Sequence, residues 1–446
     1  MQGGSTVQCK RRLTLFVAAF TLVSGFLTSG ALAASKEAVV LRVLHYFRLG
    51  KKGGTSPAAG LIFDAAGNLY GTTVGGGVYE TGIAFKLSPG ANGMWSETVL
   101  HTFGEGNDGY KPYAGLISDA AGNLYGTTSF GGSHCGSTGC GIVFQLTPVA
   151  GGSWSESVLY SFNDTNNDGN APYAGLIFDA VGNLYGTTAG GGVYNDGTVF
   201  ELSPGGNGTW NETVLYSFGK DKDGNTSYAS LIFDAVGNLY GTTAGGGADD
   251  NGTVFELSPG ANGMWTETVL HSFRKGDDGN TPYAGLVLDA AGNLYGTTVN
   301  GGRFPHSCIN GKGCGTVFEV AAGTNGVWKE TVLHRFDANN GDGSNPYGGL
   351  IFDATGNLYG TTISGGVHHK KKCSGFSRQS LGCGTVFELT RGANGKWNEN
   401  VLKTFGGGIN GSDPAASLIF DAAGNLYGTT TYLGRGAGGT VFEVAP

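Results

Sequence analysis

The chain has 446 residues, of which 85 are Gly and only 13% are charged, with a formal net charge of −8. Average usage is about 7% Gly and about 25% charged residues, so this composition belongs to a chain of many tight turns. Its 19 Tyr, 25 Phe and 6 Trp exclude a disordered polymer, and the acidic balance argues against nucleic acid or anionic lipid as partners of the whole surface.

The first feature in chain order is a basic cluster, Lys10, Arg11 and Arg12, followed by an apolar run from Leu13 to Leu27 and by Ala31-Leu32-Ala33. That order predicts a secretory signal peptide over residues 1–33 and a mature domain over 34–446, secreted or extracellular, with the periplasm as the alternative. An uncleaved anchor is the rival, but small and hydroxylated residues interrupt the run. Without residues 1–33 the chain keeps 23 Lys and Arg against 34 Asp and Glu, a formal −11. No later run approaches the ~20 apolar residues of a spanning helix. No membrane span is expected in the mature chain, and no anchor follows Val444-Ala445-Pro446.

From residue 39 onward the chain repeats. The motif "DAAGNLYGTT" at 64–73 returns six times with small changes, its Asn at 68, 123, 183, 238, 293, 357 and 425. Within a unit four short segments recur, in the fourth copy "SLIFDA", "NLYGTT", "GTVFELSP" and "WTETVLHSF". Each is rich in aromatic and β-branched residues and bounded by turn formers, which marks a strand. Four strands per unit over seven units predict an all-β, seven-bladed β-propeller of four-stranded antiparallel blades. The last unit lacks its fourth segment, whereas residues 39–47, "VVLRVLHYF", stand alone before the first. The N-terminal strand is therefore expected to complete the last blade and close the ring, which removes two exposed edges. A closed ring is expected to be a monomer.

In "DAAGN" the Asp can accept from a backbone N–H two residues on, and the Gly can adopt a left-handed conformation, so the motif reads as a hairpin turn between the first two strands. All six Trp, at 95, 154, 210, 265, 328 and 397, open the fourth strand. Packing between blades is the expected role, and a sugar-stacking ring is the alternative. His45, His101, His271 and His334 share one fourth-strand position with Tyr160, Tyr216 and Lys403, so they read as positional rather than catalytic.

A meander alternates its connections between the two ends of a blade. One face should carry the uniform turns, and the other the irregular loops between strands two and three together with the blade-to-blade loops. Candidate binding residues on that second face are the acidic tips Asp108, Asp168, Asp223, Asp278 and Asp342, with His134, His306, His368, His369 and Lys370. Its cysteines form three close pairs, Cys135 with Cys140, Cys308 with Cys314, and Cys373 with Cys383. In an exported chain these predict disulfides, while the nearby histidines leave zinc as a rival. Asp164, Asn166 and Asp168 match half of a calcium loop, but its twelfth position is Gly175, so a solvated Asp-Gly turn competes with calcium and no other cofactor is expected. The G-x-G-x-x-G at 434–439 leads into a strand, which rules out a dinucleotide loop.

The repeat "FDAAGNLYGTT…GGG…GTVFELSP…W.ETVLHSF" resembles the GloVer (Gloeo_Verruco) repeat of exported bacterial tandem-repeat proteins, over essentially the whole mature chain. Its core is also similar to the D-x-x-G-N-L-[YW] turn of sensor-kinase and NHL-type propellers. The resemblance implies export and a propeller, and brings no activity with it. No G-x-S-x-G or H-E-x-x-H motif is present. A non-enzymatic protein that binds a glycan or protein through the loop-rich face is expected. The alternatives are an extracellular hydrolase or lyase on a polysaccharide or lactone, using those Asp carboxylates near the central opening, and a purely structural envelope protein.

Overall fold

A computed structural model describes residues 39–50, 53–165, 167–274, 276–302, 308, 312–323, 325–367, 373 and 382–446. The expected signal segment lies outside the described residues. Val39–Pro446 forms one compact unit, a seven-bladed β-propeller of four-stranded antiparallel sheets. In blade 4 the strands are Ile232–Phe233, Leu239–Thr243, Thr253–Pro259 and Trp265–Ser272, paired in that order. The seventh blade combines Ile419–Phe420, Leu426–Thr430 and Ala437–Ala445 with Val40–Arg48 from the other end of the chain, Leu41 opposite Val444 and Val43 opposite Phe442. The expected closure by the N-terminal strand is what the sheet shows.

The repeated motif builds each blade residue by residue. Asp234 Oδ1 accepts from the N–H groups of Val236 and Asn238, and its Oδ2 accepts from the Asn238 side chain and the Tyr240 hydroxyl. Gly237 takes φ 96°, where a side chain would be strained. Burial pushes the Asp234 carboxyl up, but these hydrogen bonds outweigh it and hold the group below its ordinary value. A Cβ at Gly241 would sit 2.6 Å from the Phe255 ring of the third strand. The turn is thus a self-contained hydrogen-bonded unit on the uniform face.

Adjacent blades are joined by two devices. The first is a seam of buried side chains, one per joint: between blades 3 and 4 it gathers Val199, Phe218, Leu231, Leu239, Phe255 and Leu257 with Trp265 against them. A Phe pair recurs in every seam, from Phe47–Phe85 to Phe405–Phe442, T-shaped in six and tilted for Phe103–Phe144. Each fully buried Phe contributes about 1.5–3 kcal/mol. The Trp rings pack in these seams, Trp154 against Tyr70 and Trp328 against Tyr240, as the inter-blade reading expects.

The second device is a hydrogen bond from the first Thr of "YGTT" to a carbonyl of the next blade. Thr72, Thr127, Thr187, Thr242, Thr297, Thr361 and Thr429 donate to the carbonyls of Ala114, Ala174, Ala229, Ala284, Gly348, Ala416 and Ala59 at 2.9–3.2 Å, all buried. The last of these joins the two ends of the chain. One residue beyond each acceptor, Gly60, Gly115, Gly175, Ser230, Gly285, Gly349 and Ser417 form a ring about the axis: a Cβ on Gly285 would lie 2.8 Å from the Ser230 carbonyl, and Gly175 and Gly349 donate to Ser230 Oγ and Ser417 Oγ.

Thr242→Val keeps the shape and removes the donor. It is expected to cost about 1–3 kcal/mol, the penalty for a buried group left unsatisfied, while Thr268→Val on the exposed outer strand should stay within about 0.5 kcal/mol. Chemical denaturation of both variants measures the difference.

Candidate functional site

Among the described residues, the loop-rich face carries a regular set of short backbone pairings. Each blade-to-blade connection pairs briefly with the start of the two-to-three loop, as Gly224–Asn225 pairs with Gly245–Gly246. Six such ribbons form, and the seventh position is a single bridge between Ser412 and Tyr432. The residue after each ribbon, Ser56, Lys111, Ala171, Thr226, Thr281, Asn345 or Asp413, takes φ of 53–58°. Two backbone hydrogen bonds pin it, for Thr281 its N–H to the Asn251 carbonyl and its carbonyl to the Val299 N–H. Strain of this kind persists only where the surroundings over-determine it.

Two residues further on, this strained entrance delivers five tyrosines to the mouth of the ring. Tyr113, Tyr173, Tyr228, Tyr283 and Tyr347 precede the axial Gly or Ser by two positions in blades 2 to 6, and Ala58 and Ala415 hold the same position in blades 1 and 7. Neighbouring rings lie 4.7–5.3 Å apart, with Tyr228 and Tyr283 stacked. All five are half-buried. Burial, with Tyr228, Tyr347 and Tyr173 close by, pushes the Tyr283 hydroxyl up to about 12, so the arc is neutral and donates hydrogen bonds at ordinary pH. Phe130 extends it at 6.3 Å from Tyr173 and stacks on Tyr110. The sequence reading missed this arc, although its signal was present as a Tyr recurring before "AGL", "ASL" or "GGL".

The sequence-predicted acidic tips lie elsewhere and require a correction. Asp168 is 5% exposed and Asp223 8%, so neither is a solvated loop tip. Tyr160 and Tyr216 donate their hydroxyls to these carboxylates at 3.0 and 2.7 Å, and His101 sits 2.9 Å from Asp108, His271 3.3 Å from Asp278 and His334 3.4 Å from Asp342. Backbone N–H groups complete each staple, from Asn163 and Gly169 to Asp168. The partners sit on the outermost strand, which places the five carboxylates at the joints between blades near the rim instead of at the central opening. A β-bulge in every outer strand, at Leu270 in blade 4, aims that Leu and the following residue, His or Tyr except for Lys403 in blade 6, into the joint.

A glutamate from the next blade faces each staple: Glu156, Glu212, Glu267, Glu330 and Glu399 stand beside Asp108, Asp168, Asp223, Asp278 and Asp342. Glu97 instead faces His45 at 3.4 Å. All six stand two residues after the Trp, each with a buried Oε1 that has no hydrogen-bond partner. Burial, with Asp168 beside it, pushes Glu212 up to about 7. Burial and Asp223 do the same to Glu267.

The three cysteine pairs are disulfides, with Cα–Cα separations of 5.5, 5.1 and 5.3 Å, which leaves no thiolates for zinc. They bear on the mouth directly, since the carbonyls of Cys140, Cys314 and Cys383 accept from the strained Ala171, Asn345 and Asp413. His134 is exposed on its loop. His306, His368, His369 and Lys370 lie outside the described residues, as does Asn166 of the calcium half-motif. Of its remaining members, Asp164 accepts from the Asn170 side chain at 2.7 Å and Asp168 is committed to its staple.

Between the ordinary carboxyl value of 4.5 and about 7, folded Glu212 holds a proton that the unfolded chain has released. Its stabilising contribution is therefore lost as pH rises through that window. Glu212→Gln, which stays neutral, is expected to raise the melting temperature more at pH 8 than at pH 5. An equal loss at both would mean that Glu212 acts as an ionised acceptor.

The chain belongs to the Gloeobacter/Verrucomicrobia repeat family, which matches residues 133–372. Among solved structures, the crystal structure of an ancestral GH74 enzyme is similar in fold, with a TM-score of 0.52 and 12% sequence identity over 87% of this chain and 47% of that one. The chain thus spans about half the length of that enzyme. No curated protein sequence matches it.

Proposed function

We propose that the protein is an exported, non-enzymatic propeller that binds a glycan at the mouth of its ring on the loop-rich face. The observation that carries this reading is the arc of five tyrosines, two faces of which stack while their hydroxyls stay neutral. Aromatic faces pack against the apolar C–H surfaces of sugar rings, and phenol hydroxyls satisfy sugar hydroxyls, so an arc of both suits an oligosaccharide. Ala58 and Ala415 hold the tyrosine position in blades 1 and 7, and on that side Tyr432 lies close enough to Tyr113 to interact with it. The three disulfides support export, with residues 1–33 as the signal and 34–446 as one monomeric propeller domain.

Hydrolysis or lysis of a polysaccharide or lactone is the second reading, favoured by the fold likeness to an enzyme alone. A glycosidase needs two carboxylates flanking the scissile bond, and the five staple aspartates stand at the blade joints, bonded to outer-strand His and Tyr.

A glycan array probed with the full chain, with and without calcium, tests the proposal. Binding of at least one oligosaccharide class is expected, with Tyr228→Ala and Tyr283→Ala each weakening it about tenfold or more, roughly 1.4 kcal/mol, at unchanged melting temperature. Binding that ignores both substitutions would place the ligand elsewhere, and release of new reducing ends would favour the enzyme.

A further inference from the structure

The joint between blades 5 and 6 gathers an imidazole and two carboxylates, one of them with a buried oxygen that has no hydrogen-bond partner. His334 comes from the outer strand Trp328–Arg335, Asp342 from the connection into blade 6, and Glu399 from the outer strand Trp397–Thr404. One ligand atom from each, an imidazole nitrogen and two carboxylate oxygens, lies within 4.8 Å of the others. His334 Nε2 and Asp342 Oδ1 stand 3.4 Å apart, and Glu399 Oε1 is buried without a hydrogen-bond partner. Asp342 is oriented from behind by the N–H groups of Asp337 and Gly343, at 2.9 and 2.6 Å. The three side chains line a cavity of about 530 Å³ that also receives Asp337, Asn339 and Asn340, so water has access to the site.

We propose that this joint binds a divalent transition-metal ion, with His334, Asp342 and Glu399 as its three protein ligands and water from the cavity completing the shell. Zinc bonds to His nitrogen and carboxylate oxygen at about 2.0–2.2 Å, which puts tetrahedral ligand atoms roughly 3.4 Å apart. The His334–Asp342 pair already has that spacing. One imidazole with two carboxylates suits zinc or manganese, whereas calcium takes six or more oxygens and no imidazole.

The repeat supplies its own comparisons. Between blades 4 and 5 the same trio recurs as His271, Asp278 and Glu330, again within 4.8 Å, but Arg335 stands beside Glu330 and donates to the Asp277 carbonyl. Its fixed charge repels a cation there. Between blades 2 and 3, and between 3 and 4, Tyr160 and Tyr216 replace the imidazole and give their hydroxyl protons to Asp168 and Asp223. Those joints offer no nitrogen ligand. The expected order of affinity is the 5/6 joint first, the 4/5 joint weaker, and the two tyrosine joints without a site.

The test is a titration of the chelator-stripped full chain with zinc chloride by calorimetry, followed by metal analysis after gel filtration. One zinc per chain with micromolar or tighter affinity is expected, with a higher melting temperature when loaded. His334→Tyr installs the side chain that the 2/3 joint already accommodates, and Glu399→Gln keeps the shape of the acid. Each is expected to weaken zinc at least tenfold and to abolish the zinc-dependent rise in melting temperature, while Glu212→Gln leaves both unchanged. Absence of binding up to millimolar zinc would overturn the proposal. So would tight binding that survives both substitutions, which would assign the metal to histidines of the loops.

Discussion

The ring depends on one hydrogen bond used seven times, from a buried Thr hydroxyl to a carbonyl three residues ahead of the neighbouring blade's first strand. Hydrophobic seams supply most of the adhesion between blades, but packing is non-directional and tolerates sliding. A buried hydroxyl and a buried carbonyl do not, because each loses its partner if the blades shift. The bond fixes how far one blade rotates about the axis relative to the next. It therefore fixes the spacing of the axial Gly and Ser ring one residue away, and of the tyrosines two residues before that ring. At every joint the outer strand of one blade runs on into the next, and Val40–Arg48 of blade 7 does so into blade 1. The two ends of the chain meet inside blade 7 instead, where Val40–Arg48 is held to Ala437–Ala445 by strand pairing, and the Thr429–Ala59 bond works with that pairing.

The two faces divide the labour. On one, the Asp turn satisfies its own polar groups and repeats almost unchanged, so it adds a rigid end to each blade and little else. On the other, short ribbons, strained residues such as Thr281 and disulfide-anchored carbonyls hold the first strand at a fixed height. Among the described residues the mouth is lined by these rings, and a preorganised surface loses less entropy on binding. The rim of the same face carries a separate set of polar joints, whose chemistry differs from joint to joint as His gives way to Tyr.

Much of this was legible in the sequence, and the rest was hidden for definable reasons. Strand count, blade order, the Asp-Ala-Ala-Gly turn and closure by residues 39–47 could be read because local propensity and fold agree in each unit. The staple aspartates misled because Asp-Gly marks a turn whether the carboxylate faces water or protein. Their partners lie seven or eight residues upstream, beyond a bulge that changes which way the side chain points. The tyrosine arc escaped notice because a Pro-Tyr-Ala-Gly connection has no strand periodicity, so nothing local distinguishes a ring aimed at the axis from a loop residue. The glutamates two residues after each Trp alternate as an exposed strand residue would, and only the packing of the next blade buries them.

Hydrogen exchange on Thr429→Val tests the dependence of the ring on its latches most directly. This bond anchors the one blade whose outer strand is held by pairing and not by a covalent turn, so its loss should speed exchange about tenfold or more across Val40–Arg48 and Ala437–Ala445 while blade 4 keeps its protection. The same change at Thr242, in a blade built from one continuous stretch of chain, should leave those terminal strands as they were. Unchanged protection of Val40–Arg48 in Thr429→Val, or equal loosening of the terminal strands by Thr242→Val, would contradict the account.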